Sequence, residues 1–181
     1  IYFNFLVNVK MIKIIDNFFD DILFKNIKNH TVNKLFYTPR YIDYTKEKNN
    51  TNYYGSRFIL KEDLNLLQTF TIQAEKKFNI KIKEIHEDSG VDIKNLNHFK
   101  PHTDCDVGAK INILIMINGP TAVTNGIVFY TNGSLDIHVG FKENRAVLFP
   151  SDKVHSPHAS NTPNLIRHTV SLFIKDYENI L

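Results

Sequence analysis

Two side chains that could bind one metal ion stand close together in Asn97-His98-Phe99-Lys100-Pro101-His102-Thr103-Asp104. This stretch follows an alternating apolar segment and is predicted to form the end of a β-strand. Side chains two residues apart on a strand project from the same face. His102 and Asp104 are therefore expected to reach the same ion, although such a pair by itself is a weak signal.

Further candidate residues follow about fifty positions later, in and after Val154-His155-Ser156-Pro157-His158-Ala159. His155 and His158 are the two candidates for a third metal ligand. Arg167 comes nine residues after His158, at the start of the alternating run Arg167 to Ile174. One carboxylate and two imidazoles that leave other coordination positions open form a ligand set suited to non-haem Fe(II).

The composition is that of a globular protein. The chain has 181 residues, 43% of them hydrophobic, and a formal net charge of +3. We expect a single domain over residues 1–181, with the β core at residues 80–175. The basic residues are scattered among acidic ones, which disfavours a nucleic-acid-binding surface. The one cysteine, Cys105, cannot form an internal disulfide, so we expect a cytoplasmic protein.

The elements that must position these residues are predicted from hydrophobic periodicity. Helical patterns extend from Asp20 or Asp21 to about Phe36 and from Glu62 to Phe78, the second with an apolar face of Leu64, Leu67, Phe70, Ala74 and Phe78. Short alternating segments follow from Ile80 onwards, at 80–85, 91–96, 111–117, 126–130, 135–139, 145–149 and 169–174, with Asn-Gly and other glycine turns between them. Helices followed by many short strands predict an α+β, mainly β fold, an antiparallel sandwich or barrel backed by N-terminal helices.

Two segments are harder to classify. Residues 1–9 are apolar but too short to span a membrane, and Met11 begins a sequence typical of a chain start, so residues 1–10 are either an upstream extension or an edge strand. Residues 39–55 are polar, rich in tyrosine and without periodicity. We expect a long loop there, either a plain surface loop or a substrate lid that carries Tyr41, Tyr44, Tyr53 and Tyr54.

An ordered set of these motifs resembles the Fe(II)- and 2-oxoglutarate-dependent dioxygenases, most closely the prolyl-4-hydroxylase-like branch. The set consists of His102-x-Asp104, Gly126-Ile127-Val128, Arg145-Ala146-Val147-Leu148-Phe149-Pro150, His158, and Arg167 nine residues after it. It covers about residues 80–175, and Ile14-Ile15-Asp16-Asn17-Phe18-Phe19 resembles a common start of that branch. The resemblance implies a double-stranded β-helix, also called a jelly-roll or cupin-like fold.

The resemblance also implies a reaction and a set of roles. His102, Asp104 and His158 would hold Fe(II), with His155 as the less favoured distal ligand because its spacing to Arg167 is twelve rather than nine. Arg167 would bind the far carboxylate of 2-oxoglutarate through two parallel hydrogen bonds, and Thr169 would add a hydroxyl. Asn112 and Met116 would line the cosubstrate pocket, although core packing remains open for Met116. With O2, and with ascorbate as a supporting reductant, the enzyme would hydroxylate its substrate and release succinate and CO2.

The prime substrate is expected to be a peptide or protein side chain, or a small molecule. A nucleic-acid demethylase is disfavoured, because that branch carries a second arginine six residues after the cosubstrate arginine, where this chain has Phe173. The alternative is a jelly-roll module that binds a metal or an anion without catalysis, since a fold does not by itself imply a function. The remaining histidines, at positions 30, 86, 98, 138 and 168, are expected to be structural or exposed.

Overall fold

The computed structural model describes residues 11–43, 51–95, 101–158 and 166–180. Several predictions from the sequence lie outside these ranges: the nature of residues 1–10, Tyr44 and the rest of segment 44–50, and His98. The side chains of Tyr41, Tyr53 and Tyr54 are also outside the described part. The lid hypothesis for these tyrosines therefore stays a prediction.

Two helices form where the sequence predicts them. Helix α1 spans Asp21–Asn33, and the Asp20 side chain caps it by accepting a hydrogen bond from the Leu23 amide. Helix α2 spans Leu64–Phe78, with Asp63 as its cap. The predicted apolar face of α2 is corrected at its start: Leu64 is 70% exposed, and the buried position in the first turn is Leu66.

Eleven strands form two antiparallel sheets in the described part of the chain. They are β1 (Lys13–Ile15), β2 (Thr38–Asp43), β3 (Thr51–Ile59), β4 (Ile80–Ile85), β5 (Gly90–Asn95), β6 (Ile111–Asn118), β7 (Ala122–Thr131), β8 (Ser134–Phe141), β9 (Arg145–Pro150), β10 (His155–His158) and β11 (Ile166–Asn179). The larger sheet has the order β1-β9-β6-β11-β5-β3-β2, with β4 also paired to β11. The smaller sheet has the order β10-β7-β8. The expected jelly-roll of mainly β structure is confirmed.

Two apolar layers lie on the two faces of the larger sheet. Along β6, the odd-numbered isoleucines from 111 to 117 join the layer that also contains Phe70 and Phe78 of α2. Leu114 and Met116 point the other way, into a layer with Phe129 of β7, Val139 of β8 and Phe149 of β9. This parity is the strand alternation expected from the sequence. We call these the outer layer, between helices and sheet, and the inner layer, between the two sheets.

The structure corrects three local predictions. Residues 39–55, expected to be a loop, contribute to the antiparallel pair β2 and β3, in which Thr38 lies opposite Arg57 and Asp43 opposite Thr51. The predicted turns at Asn125-Gly126 and Val139-Gly140 lie inside β7 and β8, which are longer than expected. Strand β10 is absent from the predicted strands, because its four residues include a proline and show no alternation of apolar and polar side chains.

Gly126 explains why β7 continues through a sequence typical of a turn. Its φ is 156°, and a Cβ at this position would lie 2.0 Å from the Val139 carbonyl oxygen of the neighbouring strand β8. The close approach of the two backbones therefore requires glycine. The Asn132-Gly133 turn, by contrast, is where the sequence predicts it, with φ values of 50° and 78°. Among the described residues, no helix is long and apolar enough to cross a membrane.

Candidate metal and anion site

The segments that carry the candidate ligands are joined through their backbones. His102 and His155 form an isolated antiparallel bridge, in which each amide donates to the other's carbonyl oxygen at 2.9 Å. The Asp104 amide donates to the Ser151 carbonyl oxygen at 2.8 Å. His102 thus lies in a bridge rather than at the end of a regular strand. This double attachment to the segment after β9 brings residues about fifty positions apart to the same place.

His102, Asp104 and His155 form the candidate metal site. One potential ligand atom from each residue lies within 4.8 Å of the other two. Nε2 of His155 is 3.5 Å from Oδ2 of Asp104, and Nε2 of His102 is 3.9 Å from Oδ1. Asp104 and His155 are buried, while His102 is half-buried. Two imidazoles and one carboxylate at these separations can hold a divalent metal ion, and the set fits Fe(II).

The ring of His155 is oriented by its second nitrogen. Nδ1 lies 2.9 Å from the Lys153 carbonyl oxygen. Because a carbonyl oxygen only accepts, this contact requires the proton on Nδ1 and leaves the lone pair on Nε2, the nitrogen that faces Asp104. The ring also packs edge-on against Phe149, with centroids 4.7 Å apart. A metal-binding histidine is commonly held in this way.

The structure places His155, rather than the favoured His158, beside His102 and Asp104. Strand β10 begins at His155, so His158, three residues later, projects from the opposite face. His155 lies opposite Phe129 on the inner side, whereas His158 lies opposite Gly126 and contacts the ring of His138 at a centroid distance of 4.8 Å. Partial burial and the nearby His158 lower the pKa of His138. The histidine in the cluster is therefore twelve residues before Arg167 rather than nine.

Arg167 is a buried cation whose hydrogen-bond partners are neutral. Its Nη1 donates to Asn125 Oδ1 at 2.9 Å and to the Gly126 carbonyl oxygen at 2.7 Å, while its Nε is buried and has no partner among the described residues. Among the described residues, no carboxylate lies within ion-pair distance of this guanidinium. Burial lowers its pKa to about 9, so the group is still charged at neutral pH.

The nearby carboxylate of Asp92 acts on Arg167 only at longer range, where its charge raises the arginine pKa. Its two oxygens accept from Nε and Nη2 of Arg57, at 2.6 and 2.9 Å. The side chains of Arg57 and Asp92 are 10% and 2% exposed, and their pairing means that Asp92 is not a direct counter-ion of Arg167. A buried charge of this kind is costly unless an anion compensates it.

A second polar group beside Arg167 also lacks a partner. Thr169 lies two positions along β11 on the same face, and its buried Oγ1 makes no hydrogen bond within the part of the chain that the structure describes. Since Nη1 of Arg167 is occupied, the opposite edge with Nε is the one that can bind a carboxylate by two parallel bonds. A hydroxyl and a guanidinium edge, both buried and unsatisfied, fit an anionic ligand such as the carboxylate of 2-oxoglutarate.

The two other predicted pocket residues differ from each other. Asn112 is buried on the inner face of β6, and its Nδ2 donates to Asp104 Oδ2 at 2.8 Å. Met116 is fully buried in the inner layer, and its sulfur accepts from the Lys142 amide at 3.4 Å. Asn112 therefore contacts the candidate metal ligand directly, while Met116 has the surroundings of a packing residue.

Sequence reasoning missed two residues that hold Arg167 in place. Asn125 is fully buried; its Nδ2 donates to the Pro120 carbonyl oxygen at 3.2 Å while its Oδ1 accepts from Arg167. Gly126 contributes its carbonyl oxygen. The Asn-Gly pair predicts a turn, because it is the commonest hairpin signal, and Gly126 also belongs to the motif Gly126-Ile127-Val128, to which the resemblance gives no contact with Arg167. No feature of the sequence distinguishes this pair from the real turn at Asn132-Gly133.

Solved structures, but no sequence comparison, identify relatives of the fold. No family model matches the sequence, and no curated protein matches it either. Among solved structures, a prolyl hydroxylase from Trichoplax adhaerens, in complex with a hypoxia-inducible factor peptide fragment, aligns with a TM-score of 0.60 at 12% identity, covering 93% of this chain and 84% of that one.

Two further structures are similar. A 2OG-Fe(II) oxygenase family protein from Burkholderia pseudomallei has a TM-score of 0.57 at 12% identity, with coverages of 93% and 87%. The non-haem α-ketoglutarate-dependent epimerase SnoN from nogalamycin biosynthesis has a TM-score of 0.57 at 10% identity, with coverages of 93% and 77%. The resemblance predicted from the sequence is thus confirmed at the level of the fold: the chain has the jelly-roll of the Fe(II)- and 2-oxoglutarate-dependent oxygenases.

Proposed function

We propose that this protein is an Fe(II)- and 2-oxoglutarate-dependent oxygenase that hydroxylates a peptide side chain or a small molecule. The observation that carries the proposal is Arg167, a buried cation with a hydrogen-bonding edge and no direct counter-ion. A cluster of two histidines and an aspartate is compatible with many metal-binding jelly-rolls. A buried guanidinium beside a buried hydroxyl supports an additional dicarboxylate ligand.

In this proposal His102, Asp104 and His155 would hold the metal ion. Bound Fe(II) and 2-oxoglutarate would supply the oxidising chemistry, in which O2 converts 2-oxoglutarate to succinate and CO2 and one oxygen atom enters a C–H bond of the substrate. His158, for which the geometry gives no contact with this cluster, has no role in the reaction.

The chain's own residues bind and orient the reactants. Arg167 pairs with the far carboxylate of the cosubstrate through its Nε edge, and Thr169 donates its hydroxyl to the same group. Asn125 and the Gly126 carbonyl oxygen hold the guanidinium so that this edge is presented before the ligand arrives. Phe129 and Phe149 pack around His155 and reduce the access of water to that side of the site.

Two substrate classes are considered, a peptide and a small molecule, and the similar structures include proteins that bind each of them. One is a prolyl hydroxylase in complex with a peptide, and another is an epimerase with a complex that contains Fe3+, α-ketoglutarate and nogalamycin RO. We propose hydroxylation as the outcome, with a prolyl-hydroxylase-like action on a peptide as the first class to test. Mass analysis separates the outcomes, because hydroxylation adds an oxygen atom whereas epimerisation leaves the mass unchanged.

The test is succinate release by purified protein supplied with Fe(II), ascorbate and 2-oxoglutarate. Wild type is expected to produce succinate slowly even without its substrate, and Asp104→Ala is expected to abolish this activity. Asp106→Ala is the matched control, since Asp106 is an exposed carboxylate two residues away. Metal-dependent binding of 2-oxoglutarate without any succinate would favour the non-catalytic module, and no binding at all would refute the proposal.

A further inference from the structure

Asn112 is a polar residue in an apolar row. On the inner face of β6 its neighbours along the strand are Leu114 and Met116, and across the sheet it lies opposite Phe149 on β9 and Phe173 on β11. A leucine would fill such a position with better packing, because a buried amide is costly unless it is hydrogen-bonded. The presence of asparagine here therefore calls for a specific partner.

That partner is Asp104. Nδ2 of Asn112 donates to Oδ2 of Asp104 at 2.8 Å, and this bond is buried. The orientation of the amide is determined by chemistry, because a carboxylate only accepts and so must face the NH2 end. The bond engages one carboxylate oxygen from within the protein. The same Oδ2 lies 3.5 Å from Nε2 of His155, while Oδ1 lies 3.9 Å from Nε2 of His102 and receives no hydrogen bond from Asn112.

The other end of the amide is unsatisfied. Oδ1 of Asn112 is buried and accepts no hydrogen bond from any described residue. A residue that served only the packing of the fold would be expected to have both ends bonded within the protein. An acceptor left open beside a metal ligand is suited to a donor that comes with the metal, such as a coordinated water.

We propose that Asn112 is a positioning residue for the metal site: its amide fixes the rotation of the Asp104 carboxylate, so that one oxygen is directed to the metal and the other is held by the protein. This inference rests on the proposed function, and it changes the role that the sequence predicts for Asn112 from a lining residue of the cosubstrate pocket to a partner of the carboxylate ligand. Outer hydrogen bonds of this type commonly set metal affinity.

The test is metal affinity, measured by anaerobic calorimetry with Fe(II) and by titration with Co(II), whose absorption spectrum reports the ligand geometry. Asn112→Leu is expected to weaken binding by about 10- to 100-fold and to change the Co(II) spectrum, while the unfolding midpoint of the metal-free protein stays close to that of wild type. Asn112→Ser, which cannot overpack the site, is expected to weaken binding to a similar extent.

Asn118→Leu is the matched control, an amide on the same strand that contacts His168 rather than Asp104, and it should leave metal affinity unchanged. If both Asn112 variants bind metal as wild type does and have the same Co(II) spectrum, the inference is wrong while the proposed function stands. If wild type itself binds no metal, the proposed function fails, and this inference fails with it.

Discussion

The two faces of the larger sheet have different compositions. The outer layer, against α1 and α2, is built from aliphatic and phenylalanine side chains. The inner layer combines an apolar cluster with buried polar residues, among them Asp104, Asn112, Arg167 and Thr169. Among the described residues, the buried side-chain atoms without a partner are Asn112 Oδ1, Ser151 Oγ, Arg167 Nε and Thr169 Oγ1.

This difference separates stability from ligand binding. The apolar side chains of the outer layer pack against one another and require no ligand. This layer should therefore determine whether the chain folds. The buried polar atoms on the inner side that have no partner among the described residues are costly in the free protein, and a ligand would give them partners. Substitutions in the two layers should therefore change different measured quantities.

The largest expected effect on folding is in the outer layer. Phe70 is fully buried on α2 and packs edge-on against Phe19. Phe70→Ala should lower the free energy of unfolding by about 3–5 kcal/mol, because it removes apolar contacts and leaves a cavity. Denaturant unfolding measures this loss. The metal affinity of the protein that remains folded should equal that of wild type, and a parallel loss of affinity would contradict the separation.

In the inner layer, Arg167→Met should weaken ligand binding and leave the stability of the fold nearly unchanged. The affinity for 2-oxoglutarate should fall by at least about 30-fold, equivalent to about 2 kcal/mol, because a buried charge pair loses one partner. The free energy of unfolding without ligand should stay within about 1 kcal/mol of wild type, since the lost bonds to Asn125 and Gly126 are offset by removal of an uncompensated cation. Calorimetry and unfolding on the same sample test both statements, and unchanged affinity would remove Arg167 from the site.

A smaller effect is expected at Thr169. Thr169→Val keeps the shape of the side chain and removes a buried hydroxyl that has no partner in the free protein. The variant should be more stable than wild type by about 1 kcal/mol and should bind 2-oxoglutarate about 10-fold more weakly. Ser171→Ala, at the next inner position of β11, is a control for general effects on the strand. A loss of stability in Thr169→Val would mean that its hydroxyl is satisfied without ligand.

The smallest effect is at the surface. Arg145 and Lys142 hold the pKa of Asp16 down at about 2 through hydrogen bonds. A lowered carboxyl pKa contributes stability above the unfolded value of 3.8, and this contribution is lost as the pH falls towards 2. Because Asp16 is exposed and solvent screens its ion pairs, Asp16→Asn should cost at most about 1 kcal/mol at pH 7. The difference between variant and wild type should disappear near pH 2, and a difference that persists there would point to another cause.

Periodicity explains which parts of the fold were predictable. Both helices and most strands were found because their apolar residues follow the period of a helix or of a strand. Strands β2 and β3 were missed because their sequence is polar and aromatic without alternation. Strands β7 and β8 are longer than predicted, because Gly126 and Gly140 resemble turn residues. Gly126 is in fact required inside β7 by the close approach of the β8 backbone.

The site was predictable where spacing along one segment was sufficient. His102 and Asp104 lie together, and Arg167 and Thr169 share one face of β11, where both are buried. The choice between His155 and His158 depends on which face of β10 points inward, and that is decided by pairing with β7 rather than by any local pattern. Asn125 could not be found, because its contact with Arg167 joins residues 42 positions apart.

The most direct test of this account is Fe(II)-dependent binding of 2-oxoglutarate to three proteins: wild type, His155→Ala and His158→Ala. Calorimetry should show tight, metal-dependent binding for wild type and for His158→Ala, because His158 faces His138 away from the cluster. His155→Ala should lose the metal and, with it, the cosubstrate. Retention of both ligands by His155→Ala together with their loss in His158→Ala would contradict the site described here.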